Sequence, residues 1–243
     1  METNKDLGLA AYPEQEKTAY LAALAALATS DREASNEELE HLRQISNEAG
    51  LSEQNQEEII EAARDVSGQN LKDSLDVLKV SDLRYGLITD LIAIAQADDS
   101  YTTQEKNNIE KVSRYLNINN NQFSILDQFV KKAVEEERTP EEYRKPNFLS
   151  STGMQDKFSN AGFDMRAIGR GIFGFLGPIL LGSLASRSLG RRGSNPFPNQ
   201  GGLGGMLGGN QTGMSRGLGS MLSGLSRSRN NGSMGELLGR LLR

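Results

Sequence analysis

Residues 20–51 read YLAALAALATSDREASNEELEHLRQISNEAGL, and residues 87–118 read LITDLIAIAQADDSYTTQEKNNIEKVSRYLNI. The two stretches align without a gap at an offset of 67 positions, and each holds an apolar helix, an acidic turn and a second helix. Equivalent positions are Leu24 and Leu91, Asp31 and Asp98, Ser35 and Thr102, Glu38 and Glu105, and Leu42 and Ile109. Similarity at a fixed internal spacing indicates a duplicated structural unit. The sequence therefore predicts a helical domain with an internal pseudo-two-fold repeat.

Apolar periodicity extends this prediction to a bundle of about seven helices over residues 14–137. Apolar residues recur at helical spacing in the segments 14–29, 36–49, 52–66, 71–79, 81–97, 103–116 and 120–137. The segment 81–97 is apolar on more than one face, which predicts that it is the most buried helix. Gly50 is placed to end the second helix as a left-handed cap, and Ser52 to cap the third. No segment alternates as a strand does, so the predicted fold class is all-α.

Charge and composition divide the chain into an acidic part and a basic part. Residues 1–146 carry 16 Lys and Arg against 29 Asp and Glu, whereas residues 147–243 carry 11 against 3. An acidic folded unit with a basic appendage is expected from such a division. The chain has no cysteine and one histidine, His41, so the usual nucleophiles and bases are scarce and we expect no enzymatic activity. The first residues lack the pattern of a secretory signal, which favours a cytoplasmic location.

Each acidic turn has two interpretations that the sequence leaves open. In the first, Ser35 and Thr102 cap the following helix, and Glu38 and Glu105 reach back to the cap amide as in a capping box. In the second, the carboxylates of Asp31 and Glu38, and those of Asp98 and Glu105, are oxygen ligands for weakly bound Ca²⁺ or Mg²⁺. One carboxylate oxygen can cap while the other binds, so the two interpretations are compatible.

The duplicated acidic turn with its S/T-x-x-E sequence resembles the TerB-like domain. That domain is known from tellurite-resistance operons and from the amino-terminal part of a membrane-anchored DnaJ-like co-chaperone. The resemblance covers residues 14–137. It implies a compact all-helical domain without catalytic chemistry, associated with metal resistance and stress, whose acidic turns bind divalent cations. By position those ligands are Asp31, Glu38, Asp98 and Glu105. The Asp-Gly usual in both turns is replaced here by Asp31-Arg32 and Asp98-Asp99.

The remainder of the chain divides into three further segments. Residues 138–165 show little pattern and are predicted to be a linker. Residues 166–192 hold an uncharged apolar run, flanked by arginines, that is shorter than the ~20 residues a spanning helix needs. We expect a short helical segment there, which suits a membrane surface or self-association into a homo-oligomer. Residues 193–243 are rich in Gly, Ser and Asn, and are expected to be largely disordered.

A short apolar module recurs in this tail. Leu203-Gly-Gly-Met206-Leu207-Gly208 is similar to Leu218-Gly-Ser-Met221-Leu222-Ser223 and to Met234-Gly-Glu-Leu237-Leu238-Gly239, and each has apolar residues at i, i+3 and i+4. The residues predicted to contact a protein partner or an anionic membrane are Phe173, Phe175, Leu176, Ile179, Leu180, Leu203, Met206, Leu207, Leu218, Met221, Leu222, Leu237 and Leu238. Nucleic-acid binding is not expected, because no aromatic residue follows Phe197.

Two functions are therefore compatible with the sequence. In one, the acidic domain binds a divalent cation or a partner, and the basic tail tethers the protein to the inner membrane surface or to an assembly. In the other, the protein is an adaptor or cargo that its repeated modules address to an oligomeric scaffold or shell. A third arrangement, in which the tail folds back on the acidic domain, is favoured by the opposite charges.

Overall fold

The computed structural model describes residues 9, 12–29, 34–65, 67–96, 102–135, 148–165, 168 and 238–239. Within them the chain forms nine α-helices and no strand, which confirms the all-α prediction. The helices are α1 (Glu14–Ala28), α2 (Asn36–Glu48), α3 (Glu53–Arg64), α4 (Gln69–Leu78), α5 (Leu83–Gln96), α6 (Thr103–Tyr115), α7 (Asn120–Glu135), α8 (Phe148–Ser151) and α9 (Gln155–Asn160).

Helices α1 and α5 form the centre of the core. Every residue from 19 to 27 in α1 and from 85 to 93 in α5 is buried. Five alanines lie in the α1 stretch, and side chains this small allow helices to approach from several directions. Helix α1 packs mainly against α3 and α4, and α5 packs against α6 and α7. The sequence predicts α5 as the most buried helix, and the structure gives α1 an equally continuous buried stretch.

A buried hydrogen bond joins the two central helices. The Tyr20 hydroxyl on α1 donates to Oδ2 of Asp90 on α5, and both residues are fully buried. A carboxylate taken out of water is costly unless hydrogen bonds satisfy it. This pair was not predicted from the sequence, because Asp90 lies within a strongly apolar helix.

The starts of several helices repeat at the 67-residue offset seen in the sequence. Helices α2 and α6 begin 67 positions apart, and so do α3 and α7. The turns that end α2 and α6 also match. Gly50 and Asn117 both have positive φ, of 70° and 60°. Leu51 N–H then donates to Ser46 C=O, and Ile118 N–H to Ser113 C=O, both as in a Schellman motif. The left-handed cap predicted at Gly50 is confirmed, while the duplication itself stays a prediction.

Helix α3 begins differently from the sequence prediction. Ser52 occupies the N-cap position, but its side chain forms no capping hydrogen bond. Its backbone N–H instead donates to Glu14 Oε1 at 2.7 Å, across 38 positions of sequence. This hydrogen bond from the Ser52 N–H, assisted by the Ser52 and Asn55 side chains, lowers the pKa of Glu14. The carboxylate that stabilises the start of α3 is therefore supplied by the start of α1.

The segment predicted as a linker, 138–165, contains structure over residues 148–165. Helices α8 and α9 lie there, and the segment contributes Leu149, Met154, Phe158 and Phe163 to the hydrophobic core. Phe158 meets Phe129 of α7 edge-on, with ring centroids 5.5 Å apart. Lys132 of α7 donates to the Thr152 carbonyl. The folded domain thus extends beyond α7, and Ile168 is also fully buried.

Most of the predicted apolar segment 166–192 and of the tail 193–243 lies outside the described residues. Within the residues that the structure describes, no helix combines the length and apolar character needed to cross a bilayer. Two tail residues are described, Leu238 and Gly239, and both are helical. Leu238 is 1% exposed and belongs to the same buried apolar cluster as the helical domain.

Candidate cation and partner sites

The second acidic turn ends in a complete capping box. Thr102 Oγ1 accepts from the Glu105 N–H at 3.2 Å, and Glu105 Oε2 accepts from the Thr102 N–H at 2.7 Å. Extended backbone at Thr102 places its side chain over the first turn of α6. These two bonds satisfy amides that would otherwise lack partners at a helix start. The structural interpretation of Glu105 is therefore correct for this turn.

The capping box engages one oxygen of the Glu105 carboxylate. Both bonds from Thr102, from its N–H and from its hydroxyl, end on Oε2, and the hydroxyl lies 2.8 Å from it. Oε1 takes no part in the box, and Glu105 is half-buried at the edge of the turn. A carboxylate that is held through one oxygen is oriented, and its second oxygen can still coordinate a cation. Glu105 therefore suits the chemistry of a hard-cation ligand, although a single carboxylate binds such ions weakly.

The other three predicted ligands cannot be placed beside Glu105. Asp31 and Asp98 lie outside the described residues, and so does the side chain of Glu38, whose backbone belongs to α2. In the described part of the chain, no group of three or more His, Cys, Asp or Glu residues is arranged to hold a metal ion. The predicted cation sites at Asp31/Glu38 and Asp98/Glu105 thus remain predictions.

A buried carboxylate that the sequence did not reveal lies near the second turn. Asp127 of α7 has a side chain only 6% exposed, and its Oδ2 lies 3.1 Å from Lys131 Nζ and 3.5 Å from Lys106 Nζ. Gln96, the last residue of α5, approaches Oδ1 at 3.4 Å. Asp127 thus joins α5, α6 and α7, through contacts with Gln96 at the end of α5 and Lys106 in α6. Because two lysines already compensate its charge, Asp127 is a structural group and not a further cation ligand.

A second charged cluster, the Asp76 cluster, connects α4 to α6. Asp76 accepts from Lys72 at 2.7 Å, from Lys79 at 2.8 Å and from the Tyr115 hydroxyl at 2.6 Å. The Lys79 ammonium also lies 3.6 Å from the centroid of the Tyr115 ring. These three donors hold the pKa of Asp76 well below its usual range, and the pKa values of Lys72 and Lys79 are raised in return. Every member has a partner within the cluster, so its role is to fix α4 against α6.

Helix α3 presents an acidic face to solvent. Glu53, Glu57, Glu58 and Glu61 are all exposed along its length. Arg43 of α2 pairs with Glu57 at 3.2 Å, with both side chains half exposed. An exposed pair of this kind contributes little energy, and Arg43 offsets the charge of one glutamate among the four. The described surface of the first helices is therefore suited to attract a basic partner or segment.

Among the residues predicted to contact a partner, one is described, and it is buried. Leu238 is packed into the apolar cluster of the domain. The other predicted contacts lie outside the described residues: Phe173, Phe175, Leu176, Ile179, Leu180, Leu203, Met206, Leu207, Leu218, Met221, Leu222 and Leu237. The structure therefore places one residue of the third apolar module, Leu238, in the apolar cluster of the domain, and it tests none of the contacts predicted for the first two modules.

The fold and the capped acidic turn place this domain among small all-helical modules. Comparison with known proteins identifies the family. Residues 17–128 match the family described as Tellurite resistance protein TerB. This part of the chain is a TerB-like domain, in agreement with the resemblance seen in the sequence. No curated protein and no solved structure gave a significant match. The match ends within α7, before the α8–α9 segment and the tail.

Proposed function

We propose that this TerB-like protein is a non-enzymatic binding protein associated with metal resistance or stress, whose acidic domain binds a divalent cation at Glu105. The observation that carries the proposal is the capping box, which orients Glu105 through Oε2 and leaves Oε1 to a ligand. Glu105, with Asp98 in the same turn of the sequence, would hold the ion, and Ca²⁺ or Mg²⁺ would supply positive charge to a strongly acidic domain. The chain's few nucleophiles and bases support a role without catalysis.

A substitution that separates capping from coordination tests this proposal. Glutamine at the third position of a helix still forms a capping box, so Glu105→Gln retains the cap and removes the charged ligand. Glu53→Gln is the matched control, because it removes an exposed glutamate from the first turn of α3. Titration of the full chain with CaCl₂ and with MgCl₂ is followed by calorimetry and by thermal unfolding.

The proposal predicts a rise in unfolding free energy of about 1.4 kcal/mol for wild type at a cation concentration tenfold above Kd. Glu53→Gln should respond as wild type does, and Glu105→Gln should lose most of the rise. A wild-type chain that shows neither heat nor a thermal shift with millimolar calcium or with millimolar magnesium contradicts the proposal. An equal response from Glu105→Gln would contradict the assignment to that residue.

The second part of the proposal concerns the basic tail, which would tether the protein to the cytoplasmic face of the inner membrane. Its support is the arginine-flanked apolar run of residues 166–192, a composition suited to an anionic surface. Cosedimentation of the full chain with vesicles, either zwitterionic or containing anionic lipid, tests it. Binding to anionic vesicles that persists after deletion of residues 200–243 would support tethering by 166–192. No binding to either vesicle would contradict the tether.

The adaptor function is kept as a second candidate because of one observation. Leu238 of the third apolar module is buried in a folded domain, so a module of this type can be received by an apolar site on a protein. A scaffold that offers several such sites could bind the three modules with increased avidity.

A further inference from the structure

Two residues of the C-terminal module are described, Leu238 and Gly239, and their surroundings differ. Leu238 is 1% exposed and lies within the buried apolar cluster, whereas a Cβ added at the neighbouring Gly239 would meet nothing within 4 Å. Both residues are helical. Leu238 is therefore inserted into the apolar cluster, while Gly239 lies at the surface.

We propose that the helical domain carries a docking site for the repeated apolar module, and that the chain's own C-terminal module, residues 234–239, occupies it in cis. This inference does not depend on cation binding or on a membrane. The site would accept a short amphipathic helix with apolar residues at i, i+3 and i+4. The modules at 203–208 and 218–223 share that pattern and would fit the same site.

The length of the intervening chain favours occupation by the same molecule. Seventy positions separate Leu238 from Ile168, the preceding core residue among those that the structure describes. A Gly-rich random coil of this length would have a root-mean-square span of about 42–50 Å, against a radius of gyration of roughly 15 Å for a domain of this size. The module can therefore reach any face of the domain, at an effective concentration in the millimolar range. A second copy of the chain at micromolar concentration competes poorly with such a tethered segment.

Charge complementarity favours the same occupant. The C-terminal module is followed by Arg240 and Arg243, and residues 147–243 carry 11 basic against 3 acidic side chains. The domain that receives it is acidic, with four exposed glutamates along α3. Attraction between the two parts raises the docked fraction and should weaken as salt screens the charges.

Cis docking has a regulatory consequence. While the module is docked, neither the apolar site on the domain nor Leu238 is available to another protein. Release exposes both at once, so a partner helix of the same pattern competes directly with the C-terminus. The docked module is therefore an internal competitor for the partner site.

The test uses a fluorescent peptide of residues 230–243 and measures its binding to full-length variants by anisotropy. Leu238→Ala in the full chain should empty the site, and the peptide should bind that variant at least tenfold more tightly than it binds wild type. Loss of a buried leucine should weaken binding of a peptide carrying Leu238→Ala by about 30-fold. Equal binding of the peptide to wild type and to the Leu238→Ala chain would overturn the proposal, as would equal binding of the two peptides.

Gly239→Ala provides a test of opposite sign that does not risk unfolding. The added methyl group meets no neighbour and favours the helix, so this variant should dock more tightly and bind the peptide more weakly than wild type. Tighter binding of the peptide to Gly239→Ala than to wild type would overturn the proposal, even if Leu238→Ala fails to fold.

A spin label distinguishes the chain's own tail from that of a second copy. Because the chain has no cysteine, Asn231→Cys gives a single labelling site beside the module and keeps both Arg240 and Arg243. Cis docking predicts nitroxide broadening of domain resonances in the ¹⁵N-labelled chain, independent of concentration and lost with Leu238→Ala. Broadening that appears only when spin-labelled chains are mixed with separate ¹⁵N-labelled chains would identify a second copy as the occupant and overturn docking in cis.

Discussion

Replacing Phe158 by alanine should destabilise the whole domain and not only the short helix that carries it. Phe158 is fully buried, and its ring lies edge-on to Phe129 at 5.5 Å and 4.9 Å from the ring of Phe163. A buried Phe→Ala substitution typically costs about 3–5 kcal/mol, which includes the cavity that it leaves. In a domain of this size, 1 kcal/mol corresponds to roughly 2–4 °C in Tm. The expected fall in Tm is therefore about 6–20 °C.

The matched control is the neighbouring exposed residue on the same helix. Lys157 donates to Gln128 Oε1 at 3.0 Å across the surface, and Lys157→Ala should change the unfolding free energy by about 0.5 kcal/mol or less. Urea unfolding of the full chain, followed by circular dichroism, gives the free energies, and calorimetry gives Tm. The denaturant slope m should be the same in all three proteins, because the surface exposed on unfolding is unchanged.

A Tm for Phe158→Ala within about 2 °C of the Lys157→Ala value would refute the placement of residues 148–165 in the core. A second outcome is also informative. If Tm is unchanged but trypsin cuts the variant after Lys157 much faster than wild type, the segment opens locally and is not part of the cooperative unit. That result would restore the linker predicted from the sequence.

Three further predictions concern local features of the bundle. Asp76→Asn should lower the unfolding free energy at pH 7 by about 1 kcal/mol, since solvent screens its half-exposed partners. The pKa of Asp76 is lowered in the folded state, so its charge stabilises the fold above the unfolded pKa near 4 and this is lost on acidification. The deficit of Asp76→Asn should therefore shrink in urea titrations below pH 4, and a constant deficit would exclude the charge as its cause. Thr102→Ala should cost about 1 kcal/mol by removing the cap, while Glu105→Gln should change calcium-free stability by less than that; an unchanged Tm for Thr102→Ala would show that the capping box contributes nothing, and equal losses would show that glutamine does not preserve it. Gly50→Ala should cost about 1 kcal/mol from its positive φ alone, because an added Cβ meets nothing within 4 Å; an unchanged Tm would show that the turn relaxes.

The helices were predictable because the signals that define them are local. Apolar spacing, the Thr102-x-x-Glu105 sequence and the glycine at position 50 each act within a few residues, and each appears where the sequence placed it. The cap of α3 was not predictable in this way. Its acceptor, Glu14, lies 38 positions from Ser52, and only the packing of α1 against α3 brings them together.

The α8–α9 segment shows a second limit of sequence patterns. Its helices span four and six residues, which is too short for a helical period to emerge. Phe158 and Phe163 are buried because Phe129 of α7 and Tyr85 of α5 surround them, and those partners are 29 and 78 positions away. The signal that could have been read was the presence of two phenylalanines and a methionine within ten residues of an otherwise polar stretch.

The capping box at Thr102 and Glu105 limits what a cation bound at Glu105 could do. A turn that depended on an ion would need the ion in order to fold, but the capping box holds the start of α6 with protein groups alone. Ion binding at Glu105 would therefore add charge at a helix start that protein groups already hold, and the ion would act through the electrostatic field of the domain. The expected consequence is a weaker attraction of the domain for the basic tail. A cation would thus favour release of the docked module, and a partner helix would then take its site. Measuring release of the labelled tail at fixed ionic strength, with calcium replacing sodium, would separate this specific effect from screening. Equal release in both salts would leave the docking site without a cation switch.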